Sequence, residues 1–360
     1  WRGLDEMEQL PSGPDMDAYE GKVTLGDTRL EEFLLVLKNG RSKRFIRPVA
    51  KRAGWRVRIV GPTDDAEGKS WLIDGHLDGR KEGTRYRVRF EWADFRMSIT
   101  WKPMEETSSV PTGLRAYQHR YYIANSLSSW KPIVGTHDKD DPALWRWFTS
   151  RIPAAGRVEL LFLRDEDQAQ MIYPMFPLPT EGSVPVVGPD EGGSGKRWLA
   201  WGKEGEALVC SLRIQNGDIK VTVKTETMGE RTWFGSTGKV YYAAGSWGAW
   251  RCEEMEEDPS MPDLRRCRFA LGPRGREEFQ IVVNQNWSLR MYPACHGSRP
   301  GESIVCGPDR RGNRKNWEVV GPPGLLMEIV LDLGAEDHCN IVTCGPCVPL
   351  QDDSAPAPLQ

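Results

Sequence analysis

One phrase occurs three times in this chain: Val60-Gly61-Pro62 followed by Lys69 and Trp71, Val187-Gly188-Pro189 followed by Lys196 and Trp198, and Cys306-Gly307-Pro308 followed by Lys315 and Trp317. In each copy the Lys stands seven residues after the Pro and the Trp nine, and the copies lie 127 and 119 residues apart. A second phrase keeps step with the first: Phe45-Ile46-Arg47-Pro48, Met171-Ile172-Tyr173-Pro174 and Arg290-Met291-Tyr292-Pro293. Fixed order at fixed spacing marks an internal repeat of about 120 residues. The fold must be one that the chain builds three times, with Trp71, Trp198 and Trp317, and Pro62, Pro189 and Pro308, as its framework.

A third phrase, Leu25-Gly26 with Glu31-Glu32-Phe33, matches Leu271-Gly272 with Glu277-Glu278-Phe279 at identical spacing; Gly156-Arg157-Val158-Glu159-Leu160-Leu161-Phe162 is a looser counterpart. Each copy closes with a Gly and an alternation of polar and apolar residues, at 83-90, 205-212 and 324-331, the period of a half-buried strand. In the third copy the pattern predicts strands near 239-244, 250-255, 265-271, 277-283, 289-292, 303-306, 316-320 and 326-331, with turns at Gly-Pro, Gly-Asp and Gly-Asn pairs. Short strands at roughly 8 to 12 residue intervals read as a sandwich or barrel. We therefore expect an all-β chain of three tandem sandwich-like modules, at 1-104, 116-226 and 238-348, with a flexible tail over 349-360. Linkers are expected at 102-115 and 226-238, which are rich in Pro, Ser, Thr and Gly.

The second copy opens at Tyr121-Tyr122 with Ser129-Trp130, and the third with the run from Lys239 to Trp250. Trp1 aligns with Trp250 through Glu6-Met7 and Glu254-Met255, which leaves the first module without an opening strand. A sheet edge bared in this way exposes unpaired backbone groups. It is expected to be covered by another domain, by a partner or by residues outside this sequence.

Composition agrees with this reading. Trp is 15 of 360 residues, and Gly (37) with Pro (26) makes up about 17%, a mixture that suits short strands and turns better than helical packing. Basic residues number 48 against 51 acidic, for a net charge of -3. That balance gives no positive field for nucleic acid or anionic lipid. The longest apolar runs, such as 32-37, fall far short of the roughly 20 residues that cross a bilayer, so the expectation is a soluble or membrane-extrinsic protein with no transmembrane segment.

From Val240 to Trp287 the chain resembles the glycogen- and starch-binding β-sandwich modules. The resemblance is carried by Gly245-Ser246-Trp247-Gly248-Ala249-Trp250, by Phe269-Ala270-Leu271 with Gly275, and by Phe279-Gln280-Ile281-Val282-Val283-Asn284-Gln285-Asn286-Trp287. It implies that Trp250 and Trp287 stack on sugar rings, with Gln280, in place of the family's Lys, and Asn286 as polar partners. A pyranose presents C–H groups to an indole face and hydroxyls to amides, so the chemistry is sound for this copy. In the other two copies Arg41 or its neighbours and Gln168 stand in place of Trp287, and Leu34 and Leu161 in place of Gln280. The Gly-Pro and Tyr-Pro half of each repeat resembles tandem modules of large, uncharacterised proteins of unicellular algae, which implies no activity and gives a plastid as a compartment.

Three other patterns carry chemistry. Gly188-Pro189-Asp190-Glu191-Gly192-Gly193-Ser194-Gly195-Lys196 imitates a phosphate loop, but Arg197-Trp198 follows where Ser or Thr and a helix are needed. A hairpin anchored by its Trp fits better. Cys344-Gly345-Pro346-Cys347, with His338 and Cys339 upstream, has redox spacing without a βαβ context; structural thiols or a local disulfide, a metal knuckle and redox chemistry stay open. Cys252 with Cys267, and Cys295 with Cys306, are candidate disulfides of an oxidising compartment. The acidic run from Glu253 to Asp258 lacks the Gly-centred ligand order of a calcium loop and reads as a solvated turn edge.

The five histidines, His76, His119, His137, His296 and His338, join no nucleophile or paired-carboxylate pattern, and no dinucleotide or hydrolase fingerprint occurs. What repeats is framework rather than polar chemistry. The expectation is a non-enzymatic interaction or structural protein without a cofactor, an extrinsic accessory subunit or scaffold with protein partners in a larger complex. An α-glucan-binding protein acting through the third module is the alternative, and an enzyme with a site between modules a second.

Overall fold

A computed structural model describes residues 5–11, 16–39, 42–49, 54–94, 96–104, 119–258, 261–335 and 337–347. Trp1, Arg41, the expected tail 349-360 and most of the expected linker 102-115 lie outside them. The protein is all-β, as expected, and falls into two compact units, 1–239 and 240–360. The first unit holds two copies of the repeat and the second holds one.

The second unit displays the repeat in full. One sheet runs in the order Cys252–Glu254, Tyr241–Gly245, Arg276–Val283, Arg290–Pro293, Val305–Asp309, and Trp317–Val320 pairs with the beginning of Arg276–Val283. The other runs Glu256–Asp258, Met261–Ala270, Leu326–Asp332, Val342–Pro346. Phe279 and Ile281 from the first sheet and Phe269 and Ile329 from the second meet around the fully buried Trp317. The Trp317 ring stacks on Phe279 with centroids 5.3 Å apart, so burial and ring contact act at one point. All eight strands expected in this copy are present. Glu256–Asp258 and Val342–Pro346 were not expected.

In the second copy the equivalent central strand, Arg157–Arg164, lies between Tyr121–Asn125 on one side and Met171–Pro174 with Trp198–Trp201 on the other. Its second sheet contains Leu144–Arg151, Ala207–Gln215, Asp218–Thr225 and Gly229–Ser236. Val186 pairs in parallel with Gly235, which joins both sheets into one of eleven strands. The expectation of a linker at 226-238 is therefore corrected. Trp233 in that segment is fully buried, and Thr232 and Thr222 pair across strands through hydroxyls 3.1 Å apart; its Ser, Thr and Gly residues belong to a two-faced strand.

The first copy repeats the register with Leu30–Phe33 and Leu35–Asn39 as its central strand. Phe33 pairs with Trp71, Leu160 with Trp198, and Phe279 with Trp317. Its second sheet runs Glu8–Leu10, Asp17–Thr24, Arg85–Ala93, Arg96–Pro103.

The phrase that recurs three times is a corner. Gly61, Gly188 and Gly307 hold φ of 135°, 105° and 91° before cis prolines. A Cβ at Gly188 would lie 2.1 Å from the carbonyl oxygen of Met171, and one at Gly307 the same distance from that of Arg290. Only glycine fits. Lys196 places Nζ 5.2 Å from the Tyr173 ring centroid, and the Tyr173 hydroxyl donates to Asp190 at 2.6 Å. Lys315, Tyr292 and Asp309 repeat the arrangement at 5.4 and 2.9 Å. Asp190 also accepts from the Gly192 amide and so caps the short 3-10 turn Glu191–Gly193. The Gly188–Lys196 segment is thus a strand, a single turn and a buried lysine, with no helix to receive a phosphate. In the first copy Arg47 replaces the Tyr and pairs with Glu67 at 2.6 Å.

Candidate functional site

The structure places the four sugar-binding candidates of the third repeat apart in role. Trp250, in left-handed backbone, bonds through its amide to the Gly245 carbonyl at 2.9 Å, beside the Gly245–Phe279 end of the strand ladder. Trp287 follows the other end, where Tyr241 pairs with Val283, and is 36% exposed with the Arg290 guanidinium 5.4 Å from its ring centroid. Gln280 is buried, at 2% exposure, and donates to the carbonyl oxygens of Gly312 and Lys315. Asn286 is buried at 3%, and its side-chain oxygen accepts from the Ser288 amide in the turn before Arg290. The two amides expected to face sugar hydroxyls instead hold the fold's own loops.

The cysteines are likewise dispersed. All eight are free thiols, so neither candidate bridge is formed: Cys252 pairs in register with Ala244 of one sheet, and Cys267 with Ile329 of the other. Cys295 and Cys306 are not bonded to each other either. Cys344 lies inside the strand Val342–Pro346, opposite Ile329, not beyond the last strand of the module. Burial pushes its thiol up to about 12 and that of Cys267 up to about 11, the opposite of what a redox nucleophile needs. Among the described residues no group of three or more His, Cys, Asp or Glu side chains is placed to hold a metal ion. His338, Cys339, Cys344 and Cys347 are therefore not gathered into a knuckle.

The densest polar chemistry lies within the first unit, where a loop of the first repeat enters the second. Asp27 and Thr28, in the turn between Asp17–Thr24 and Leu30–Phe33, are buried. The Tyr121 hydroxyl donates to Asp27 at 2.9 Å, and the Gly217 amide donates to the Asp27 carbonyl at 2.8 Å. Arg164 donates to the Thr28 hydroxyl, the Leu30 carbonyl and the Gln170 side-chain oxygen at 2.6, 3.1 and 2.6 Å. Gln170 in turn donates to Glu32 at 2.7 Å, and the Thr237 hydroxyl to the Thr28 carbonyl at the same distance.

His119 closes this clasp. Its Nδ1 is 2.6 Å from Asp165 and its Nε2 2.9 Å from Glu31; an imidazole facing ionised carboxylates on both nitrogens is satisfied as the doubly protonated cation. Burial and the Arg164 charge push it toward neutrality, yet attraction to Glu31 and hydrogen bonds to Asp165 and Glu31 outweigh them, and the group titrates at about 9. Asp27 is raised as well, which for a carboxylate favours the neutral form. Burial raises it to about 6 against the lowering effects of His119, the Tyr121 hydroxyl and Arg164. Beside the clasp, Glu82 and Asn216 exchange hydrogen bonds, the Asn216 amide donating to Glu82 at 2.7 Å, at a cavity of about 480 Å³ lined also by Lys81, Gln215 and Asp218.

No motif in the sequence marks this clasp. One signal was present: Arg164 occupies a buried strand position that is Val283 in the third copy and Leu37 in the first. An arginine in an otherwise apolar row needs acceptors.

No family model matches the chain, and no curated protein shows significant similarity to it.

Proposed function

We propose that the chain is a non-enzymatic interaction protein, an accessory or scaffolding subunit whose repeats engage other polypeptides. One observation carries this reading: the Leu25–Glu32 loop works as a protein-docking element inside the first unit, with its turn residues Asp27 and Thr28 buried against another repeat. The same loop recurs in the third repeat. There Gly272 donates to Glu277 at 3.1 Å as Gly26 does to Glu31 at 2.8 Å, but the turn residues Pro273 and Arg274 are exposed. The strongly perturbed groups of the clasp serve cohesion between repeats, which favours binding over catalysis. The mass of the protein in extracts of cells that make it provides the test. A species well above the mass of one copy of the polypeptide, read under denaturing conditions from the same extract, is expected, and a monomer under mild extraction overturns the reading.

The glucan alternative keeps one favourable observation, the exposed Trp287 ring. Retardation of the full chain in a glucan gel, lost on joint Trp250→Ala and Trp287→Ala substitution, would favour it. Absence of retardation removes it.

A further inference from the structure

The outward faces of the second sheets differ between repeats in one cross-strand row. In the third repeat Arg268 stands opposite Glu328, and Glu328 opposite Gly345. Glu328 accepts from Arg268 at 2.8 Å and from Arg266 at 2.9 Å, and Asp258 lies 3.2 Å from Arg266, so the charges there cancel. The first repeat keeps the register. Lys22, three residues before Leu25 as Arg268 is before Leu271, stands opposite Arg87, and Arg87 opposite Lys102. Arg87 follows Gly83 by four residues, as Glu328 follows Gly324. Where the third repeat sets a carboxylate beside an arginine, the first sets three cations in line. The second repeat has Val209 at this place, opposite Lys224.

Lys22, Arg87 and Lys102 are exposed, as is Arg85 at the next outward position of the same strand. Arg87 lies 3.1 Å from Glu20 and Arg89 2.8 Å from Glu91, whereas Lys22, Arg85 and Lys102 meet no carboxylate among the described residues. Neighbouring strands are about 4.8 Å apart, so the row spans roughly 10 Å. Like charges directly opposite each other across strands repel. An anionic occupant removes that repulsion, as Glu328 does in the third repeat.

We infer that the row of Lys22, Arg87 and Lys102, with Arg85 beside it, is a docking surface for a short acidic run, of Asp or Glu, in a partner polypeptide. The inference rests on the reading of the chain as an interaction protein and names the chemistry of one partner. Charge complementarity selects the occupant. Beyond the cations the same face turns acidic within two rows, with Glu20 opposite Arg89, Glu8 opposite Glu20 and Glu91 opposite Ser98. A nucleic acid, whose charge is continuous, or a flat anionic membrane meets repulsion there. The positions flanking the row, Thr24, Glu20, Arg89 and Thr100, carry no ring on which a base could stack. A few carboxylates bounded by neutral residues match both the extent of the row and the sign change beside it.

A fluorescein-labelled hexaglutamate peptide flanked by Gly-Ser, titrated into the full chain and read by fluorescence anisotropy, tests this. Saturable binding is expected, weakening about tenfold or more between about 50 and about 300 mM sodium chloride. Arg87→Glu, which copies Glu328, should weaken binding about tenfold or more while the denaturant midpoint of the first unit holds or rises. Lys22→Glu, which sets a carboxylate opposite Arg87, should act alike. Arg96→Glu, the same charge change at the far end of the sheet opposite Ala93, should leave binding within about twofold. The inference is overturned if the peptide does not bind, if Arg87→Glu and Lys22→Glu bind as tightly as the parent, or if Arg96→Glu weakens binding equally. Tighter binding of an oligothymidylate or of phosphatidylserine vesicles, lost in Arg87→Glu, would overturn the assignment to a polypeptide. Binding that appears only once Glu105→Gln and Glu106→Gln are introduced would make the chain's own residues after Lys102 the occupant and overturn the partner assignment. A native complex that keeps its mass with Arg87→Glu overturns this surface and leaves the interaction reading intact, whereas a native monomer removes both.

Discussion

The loops Gly26–Glu31 and Gly272–Glu277 are the same device completed in two ways. In each, a glycine amide at the first position donates to the glutamate five residues on. In the third repeat that glutamate also accepts from Ser246, a residue of the same repeat that follows its opening strand. In the first repeat, which has no such strand among the described residues, the glutamate is met by His119 of the neighbouring repeat. A hydroxyl from within has been exchanged for a cation from the neighbouring repeat, and with it a hydrogen bond from an uncharged donor for a charge pair between a buried histidine and a partly buried glutamate. The difference teaches that a repeat can draw the polar partner of this glutamate from its neighbour instead of from itself, and that the exchange brings sensitivity to charge and pH.

The comparison breaks most visibly at Arg164. Arg164→Val copies the third repeat's Val283, but it strips partners from Thr28, Leu30 and Gln170 and a compensating charge from Asp27. A loss of about 3–5 kcal/mol in the stability of the first unit is expected from denaturant unfolding; an unchanged midpoint would mean that packing alone holds the two repeats together.

The next effect is pH dependence. The His119 value is raised, so the stability it contributes is fully present below its unfolded value near 6.5 and is lost as pH rises through about 9. The loss is on the order of 2–3 kcal/mol. Asp27, raised to about 6, works in the same direction: the folded state holds its proton more tightly, and that contribution is lost as pH climbs from about 3.8 through 6. Unfolding of the first unit, followed from pH 6.5 to 9.5, should therefore show falling stability, and His119→Gln should flatten the curve. A rise across this range contradicts the imidazolium assignment. The smallest effect lies in the third repeat, where Ser246→Ala should cost about 1 kcal/mol with no dependence on pH over the same interval. A slope there equal to that of the first unit would erase the distinction between the two loops.

Much of the fold was legible because its signals are local. The Gly-Pro corner, the buried Trp nine residues on and the alternating closing strands each follow from one short phrase. What escaped was held by pairing across strands. The acidic run from Glu253 to Asp258 reads as a solvated edge until Arg265 and Arg266 stand opposite Glu257 and Glu256 and make Glu256–Asp258 a strand. Cys344-Gly345-Pro346 reads as the end of a domain, yet an edge strand tolerates its proline. The sugar-site candidates were legible as a pattern, but the pattern does not reveal that Gln280 is spent on two carbonyls of its own repeat. The clasp escaped altogether, because His119 and Glu31 are 88 residues apart and Thr237 and Thr28 are 209 apart.

Those separations have a consequence in time. A chain emerging at roughly 5–20 residues per second presents the Asp27–Glu32 turn long before its partners are made. His119 arrives first, Arg164 next, and Thr237 last, some 10–40 s behind Thr28 at that rate. Until residue 164 is made, the nascent first repeat carries the carboxylates of Asp27, Glu31 and Glu32 without the full set of cations, His119 and Arg164, that face them in the folded unit. Its assembly waits on translation, and a pause before residue 164 would hold the newborn protein at its most vulnerable stage.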